Sequence, residues 1–308
     1  MRIATFNVQN MRLIHGGKCD RLRGARDRPG NVPASAAERA LDTIDRKMTA
    51  AVIRDADADI VALQEVFDLE TLDYFHDRFL LPAGAGPYPY RVCEPGNDGH
   101  GYDVAIISRI PVERARSHAT LRPADIGLCA PSGVDPQLPV FRRDCLAVEI
   151  VGLSFYVCHF KAPYPEPELA FAIRQTEAAA VRRLIERDFP DPETGRWLIV
   201  GDLNEHGRSP PAIRCLLDGF SVDLLERVPE GRRWSFHLEE TERYSRPDTI
   251  LVSPALAAEW SDATPELIRE GMGYDSPRYG GDRLPGVGFH RPHASDHAAL
   301  VVEVTGTS

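Results

Sequence analysis

Trp197-Leu198-Ile199-Val200-Gly201-Asp202-Leu203-Asn204 is the stretch on which the reading of this chain turns. Four apolar residues in a row describe a buried strand. Gly201 permits a tight backbone directly after it. Asp202 and Asn204 stand two apart, and residues two apart on an extended backbone share a face. A carboxylate and an amide so placed can serve one site, the first as base or metal ligand and the second as hydrogen-bond donor. The plainer fate of the same letters is an Asx-type turn.

The pattern recurs along the chain. Glu65 ends the run from Ile60 to Gln64, His159 ends the run from Leu153 to Cys158, and Asn7 ends the first apolar segment, Ile3–Val8. Asp248 precedes Thr249-Ile250-Leu251-Val252, and Asp296-His297 precedes Ala298-Ala299-Leu300-Val301-Val302. A carboxylate at the end of a buried strand is held rigidly enough to bind a metal. An aspartate that accepts from one imidazole nitrogen fixes the tautomer and raises the basicity of the other, and Asp248 is a candidate for that service to His297. His159 and Lys161 can contact a phosphoryl oxygen, the first by hydrogen bond and the second by charge. Each fragment alone also fits an ordinary strand end or turn.

Between these points the chain alternates strands and helices. Ser35-Ala36-Ala37-Glu38 is a capping-box pattern that opens a helix, followed by Ala40, Leu41, Ile44, Met48, Ala51 and Val52 at helical spacing. Further strands are expected over 60–63, 104–107, 147–150, 153–157, 197–200, 249–252 and 299–304, and helices over 69–81 and 169–187. Val151-Gly152 reads as a hairpin turn. Residues 11–34 and 271–295 read as long loops. Hairpins mixed with helical crossovers predict an α/β fold of two packed mixed β-sheets flanked by helices, with residues 1–308 as a single domain.

The chain has 308 residues, 43% of them hydrophobic, and a formal net charge of −10. A protein that grips nucleic acid over its whole surface is usually basic, so tight nonspecific binding of that kind is not expected. A local basic groove or a bound cation would still serve an anionic substrate. The 11–34 segment is such a place, with six basic and two acidic residues. Arg21, Arg23, Arg142 and Arg143 are candidates for substrate binding together with Lys161. None of the six cysteines forms a C-x-x-C pair, which argues for reduced thiols and a cytoplasmic protein. No run reaches the ~18–20 apolar residues of a membrane span. No partner protein is evident.

Taken in order, these residues resemble the endonuclease/exonuclease/phosphatase superfamily, nearest to its bacterial nuclease-like members. The likeness runs from Phe6-Asn7 to Asp296-His297. It implies a four-layer α/β sandwich with the site at the mouth between the sheets. It also implies Mg²⁺, with Mn²⁺ as a substitute, near Asn7, Glu65 and Asp296. Asp202 and Asn204 would then position or activate water, His159 would bind the scissile phosphate, and His297, oriented by Asp248, would act in acid–base catalysis. Whether Asp202 or His297 is the base stays open. Tyr102-Asp103-Val104-Ala105 resembles a family segment in which a small or amide residue stands where this chain has Asp103. The implied activity is metal-dependent phosphoester hydrolysis, most directly of nucleic acid. The alternative substrate is a small phosphorylated metabolite or a lipid headgroup. A zinc site on His290, His293 and His297 is the rival reading, and Pro292 opposes the regular helix it would need. A non-catalytic binding module is a further rival.

Overall fold

A computed structural model describes residues 1–16, 19–26, 35–238 and 241–305. Twelve strands build two six-stranded sheets. In chain order they are β1 (Arg2–Met11), β2 (Ile60–Val66), β3 (Tyr90–Cys93), β4 (Asp103–Ser108), β5 (Arg114–Arg116), β6 (Cys145–Ile150), β7 (Leu153–His159), β8 (Trp197–Asp202), β9 (Val222–Asp223), β10 (Asp248–Val252), β11 (Glu266–Ile268) and β12 (Ala299–Glu303). The first sheet runs β11-β12-β1-β2-β4-β3 and the second β5-β6-β7-β8-β10-β9. The same strand order is used twice. In each sheet one parallel pair sits at the centre, β1 with β2 and β7 with β8, and its other neighbours are antiparallel.

Each parallel pair needs a crossover, and a long helix supplies it. α1 (Ala36–Ala56) joins β1 to β2, and α2 (Pro167–Asp188) joins β7 to β8. The Ser35/Glu38 capping box is formed in both directions. Leu69–Phe75 is helical as expected, but the tail of that segment, His76–Leu80, widens into a π-turn. The 11–34 segment is not all loop, because Leu13–Ile14 and Arg21–Leu22 pair as a short hairpin. Lys18, Asp27 and Arg28 lie outside the described residues. Within 271–295 no helix or strand forms, in line with the loop reading.

Burial divides the core into layers. Ile3, Ile60, Ala62, Val104, Leu146, Val148, Phe155, Val157, Leu198, Val200, Ile250 and Val252 fill the space between the sheets. Phe6, Val61, Leu63 and Ala105 face α1, while Tyr156, Cys158 and Ile199 face α2. The result is helix, sheet, sheet, helix: the four-layer α/β sandwich. No described helix is long and apolar enough to cross a membrane.

Strand alternation places the site. Inward rows run Ile3-Thr5-Asn7, Ile60-Ala62-Gln64, Phe155-Val157-His159, Leu198-Val200-Asp202 and, from the other end, Val252-Ile250-Asp248. In each row two-residue periodicity carries an apolar series to one rim of the sandwich and ends it on a polar side chain. Five such endings, three on the second sheet and two on the first, converge at one mouth. Asp103 belongs to the other parity, with Ala105 and Ile107 on the helix-facing side of β4, so alternation turns it away.

Candidate active site

Asp202 is the hub. Its Oδ2 accepts from Asn7 Nδ2 at 3.1 Å, and lies 3.6 Å from His159 Nε2 and 3.9 Å from His297 Nε2. The carboxylate is 2% exposed. Burial opposes its charge, but His297 and His159, together with the Asn204 N–H, hold its pKa below the ordinary carboxylate value. Asn204 reaches the site by a turn, not by continuing the strand. It has φ +52°, and its N–H donates to Asp202 Oδ1 at 2.8 Å. Both readings of the Asp-x-Asn pattern therefore meet: an Asx turn is the means by which the two side chains share a cleft. The Asn204 amide also donates to Phe160 O at 3.0 Å.

Gly201 makes the approach possible. Its φ is +135°, and a Cβ there would stand 2.0 Å from Cys158 O on the neighbouring parallel strand. Only glycine fits a backbone so close to its neighbour in that conformation.

His297 Nδ1–H donates to Asp248 Oδ2 at 2.8 Å, and the same oxygen accepts from Ser235 Oγ at 2.6 Å. Burial works against the imidazolium, yet Asp248, Asp296 and Asp202 outweigh it and raise the His297 pKa well above its ordinary value. His159 behaves in the opposite way: burial and then Arg143 lower it to about 3, so it is neutral at physiological pH. The two histidines thus differ in charge although both face the same carboxylate.

Glu65 would point to the helix side if β2 stayed regular. Instead it adopts φ +66° at a break in register with β4, which turns it to the cleft. There Oε1 accepts from Asn7 Nδ2 at 3.2 Å and Oε2 from the Asn10 N–H at 2.8 Å. Asn7 thus bridges Glu65 and Asp202, while its Oδ1 accepts from the Gln9 N–H. Asp296 lines the same cleft. Ser295 ties this segment to the first strand, since its Oγ donates to Asn7 O at 2.7 Å and accepts from the His297 N–H.

The cleft has a volume of about 1480 Å³. Arg23, Arg143 and Lys161 line it, whereas Arg21 and Arg142 do not. Arg21 pairs with the buried Asp42, and Arg142 Nη1 donates to Pro139 O. Arg143 is braced by Asp98 and by Phe160 O, and Lys161 Nζ by the carbonyls of Ala162 and Tyr164. Asp103 is not among the lining residues. Ser235 and Asn10 carry no sequence signal of their own and come to the site through tertiary contacts.

An oxygen-rich donor set suits a hard divalent cation. Glu65 and Asp296, on one side of the cleft with the Asn7 amide between the two sheets, fit such an ion. Among the described residues, the tightest group of ligand-type side chains is Asp202, Asp248 and His297, whose donor atoms lie within 4.8 Å of one another. Asp248 Oδ2 in that group is already engaged by Ser235 and His297, and the group reads more simply as a hydrogen-bonded relay. His290 and His293 turn to other partners, Asp275 and Ala25 O, so no three-histidine zinc site forms.

Residues 4–297 match the endonuclease/exonuclease/phosphatase family. The chain belongs to that family. Among solved structures, a member of the family from Leptotrichia buccalis superposes with a TM-score of 0.59 at 14% identity, covering 99% of this chain and 100% of that one. A mannosyl-6-phosphatase from Bacteroides thetaiotaomicron gives 0.59 at 14% identity over 99% and 100%. A 3′ phosphatase from Neisseria, bound to product DNA hairpin, gives 0.55 at 19% identity over 99% and 100%. At these identities the likeness establishes the fold. No curated protein matches the chain in sequence. Family membership and the assembled site make the protein a phosphoester hydrolase of this superfamily.

Asp103 is buried instead against Gly96. Burial raises its pKa to about 6, with Asp98 and Asp144 adding to the effect. Its folded-state pKa thus lies above the unfolded value, so the folded state is favoured at low pH and loses stability as pH rises between about 4 and 6. The shift corresponds to at most about 3 kcal/mol, and solvent screening reduces it to about 1 kcal/mol. Asp103→Asn is expected to raise Tm by about 2–4 °C at pH 7.5 and to leave it unchanged below pH 4. Equal Tm values for variant and parent across this range, measured calorimetrically, would remove the charge explanation.

Proposed function

We propose that this chain is a Mg²⁺-dependent phosphodiesterase acting on nucleic acid. The observation that carries the reading is the convergence of two imidazoles and the Asn7 amide on the buried Asp202 carboxylate, next to the oxygen donors Glu65 and Asp296. Glu65 and Asp296 would hold the cation, with Asn7 keeping Glu65 and Asp202 in register. When bound, the cation neutralises a phosphoryl oxygen and stabilises the leaving oxyanion. Asp202 accepts the proton of the attacking water or aligns that water. Asn204 fixes the Asp202 carboxylate through its N–H and presents its amide to the cleft. Neutral His159 donates to a phosphoryl oxygen. His297, held by Asp248, donates to the charge that develops on the phosphorane. Asp202 and His297 are thereby given opposite charges and complementary tasks.

The size and lining of the cleft support a nucleic-acid substrate. A small-molecule pocket spans ~300–1,000 Å³, and this cleft is larger. Tyr164 stands 78% exposed at its edge, a side chain on which a base can stack. Phe236 and Leu238 line another part of the wall.

A panel with DNA, RNA, bis-p-nitrophenyl phosphate, phosphomonoesters and phospholipids tests the reading. Hydrolysis of diesters is expected with Mg²⁺ or Mn²⁺ and is expected to fall at least about 100-fold with EDTA. Turnover that persists in EDTA would defeat the metal assignment. Faster turnover of a sugar phosphate or lipid headgroup than of any nucleic acid would replace the substrate assignment with the metabolite alternative.

A further inference from the structure

Most basic residues at the cleft are already matched. Asp98 pairs with Arg143, Glu168 pairs with Arg208, and loop carbonyls hold Lys161. Just outside it, Asp42 pairs with both Arg21 and Arg26. Arg12 and Arg23 differ. Both line the cleft on the side of Glu65 and Asn10, and neither guanidinium forms an ion pair with a carboxylate among the described residues. Arg174 and Arg243 at least donate to the carbonyls of Lys161 and His206, whereas among the described residues Arg12 and Arg23 have neither a paired carboxylate nor a carbonyl acceptor, and Asp42 acts on Arg23 only at longer range.

The pair is held in place. The Arg23 N–H donates to Arg12 O at 2.8 Å, which locks the two residues side by side across the short hairpin. The fully buried Arg46 donates to Arg23 O at 2.5 Å and also to Val8 O and Gln9 O. One guanidinium thus fixes both the Arg23 backbone and the turn whose Asn10 N–H holds Glu65. The Arg12 guanidinium carbon lies over Phe67, 3.8 Å from the ring centroid. Phe67 has its own seat, because a Cβ at Gly101 (φ +75°) would stand 1.9 Å from its ring. Burial lowers the Arg23 pKa, and the charge of Arg12 lowers it further. A phosphate between them would relieve that repulsion by charge-assisted hydrogen bonds.

We propose that Arg12 and Arg23 form a second phosphate site beside the Glu65 side of the cleft, which selects substrates carrying another phosphate next to the scissile one, as a nucleotide chain does. This deepens the phosphodiesterase reading and rests on it for the identity of the scissile bond. Arg46 and Phe67 act as positioning residues for the site.

The test separates the two claims. In calorimetric titrations with Mg²⁺, the wild-type protein is expected to bind adenosine 3′,5′-bisphosphate at least tenfold more tightly than adenosine 5′-monophosphate. Arg12→Gln and Arg23→Gln are each expected to reduce that preference to threefold or less, while Arg21→Gln keeps it. In turnover, the same two variants are expected to raise KM for a 5′-phosphorylated dithymidine dinucleotide at least fivefold. They should leave KM for bis-p-nitrophenyl phosphate, which has no second phosphate, unchanged. Equal binding of the two adenosine nucleotides by the wild type, or a preference that survives both substitutions, overturns the second site. Failure of the wild type to cleave any diester, with the binding preference intact, overturns the phosphodiesterase reading and leaves the site standing. A preference for fructose 1,6-bisphosphate over fructose 6-phosphate, without one for the dinucleotide's 5′-phosphate, would keep the site and assign it to metabolites.

Discussion

Asp202→Asn is expected to lower kcat by about 10²–10⁴, the usual range for loss of a positioned general base, with little change in the fold. The argument is geometric. Asp202 Oδ2 is the atom shared by Asn7 Nδ2, His159 Nε2 and His297 Nε2, at 3.1, 3.6 and 3.9 Å. An amide in its place can retain the Asn204 N–H on its oxygen. It then turns an NH₂ toward the Asn7 amide and the two imidazoles, where every neighbour able to donate expects an acceptor. The negative charge that favours protonated His297 is lost at the same time. KM is expected to change less than kcat, because Asp202 deals with the attacking water and not with the remote parts of the substrate. Because the site favours the charged Asp202, the variant's Tm should fall modestly at neutral pH, and kcat is compared well below that temperature. A kcat within threefold of wild type, at saturating Mg²⁺ and substrate, would refute the role given to Asp202.

The same residues show why so much of this site was legible in the chain. His159, Asp202 and Asp248 each end an inward apolar row, and a two-residue period read from the strand predicts both the face and the rim. Asn7 follows the same rule on the first sheet. Glu65 does not. Alternation alone would send it to the helices, and the positive φ that redirects it falls at a register break between Gln64↔Val104 and Val66↔Asp103, a pairing between two strands far apart in the chain. Asp103 is the converse case. It sits in a segment that resembles the family's, but parity turns it away from the cleft.

The loops were harder for a physical reason. Arg21 and Arg23 are two residues apart in one basic segment and look equivalent in composition. Their fates differ because α1 offers Asp42 to Arg21, whereas Arg46 grips the Arg23 carbonyl and leaves its side chain to the cleft. Charge counting cannot distinguish a cation that is neutralised by a distant helix from one that is not. Ser235 illustrates the same limit. Nothing around it in the sequence marks a site, yet the isolated bridge between Phe236 and His297 brings its hydroxyl onto Asp248. Strand ends could be read because their direction is local. Contacts made by loops and helix faces could not, because their partners lie far away in the chain.

Asp248→Asn and His297→Gln are each expected to reduce kcat by about 10²–10⁴, on the scale seen when an oriented imidazole or its carboxylate partner is lost, and the double variant is expected to fall little further. The two side chains act as one unit, joined through Nδ1 and Oδ2 at 2.8 Å. Asp248 has no exposure to the cleft and cannot touch a substrate; its effect must pass through His297. With asparagine at 248, Oδ1 or Nδ2 can still reach the ring, but the carboxylate charge that stabilises an imidazolium against burial is gone. If Nδ2 faces the ring, Nδ1 becomes the acceptor and the tautomer is reversed. Ser235 provides the internal control. Ser235→Ala removes the second hydrogen bond to the same oxygen and leaves the Asp248 charge, so it is expected to cost no more than about 30-fold in kcat, in keeping with the ~1–2 kcal/mol of one hydrogen bond. A cycle measured at saturating substrate distinguishes the unit from two independent contributors. Coupling appears as a double variant close to the worse single variant. If the losses instead multiply, Asp248 contributes by a route other than His297, and the relay is wrong.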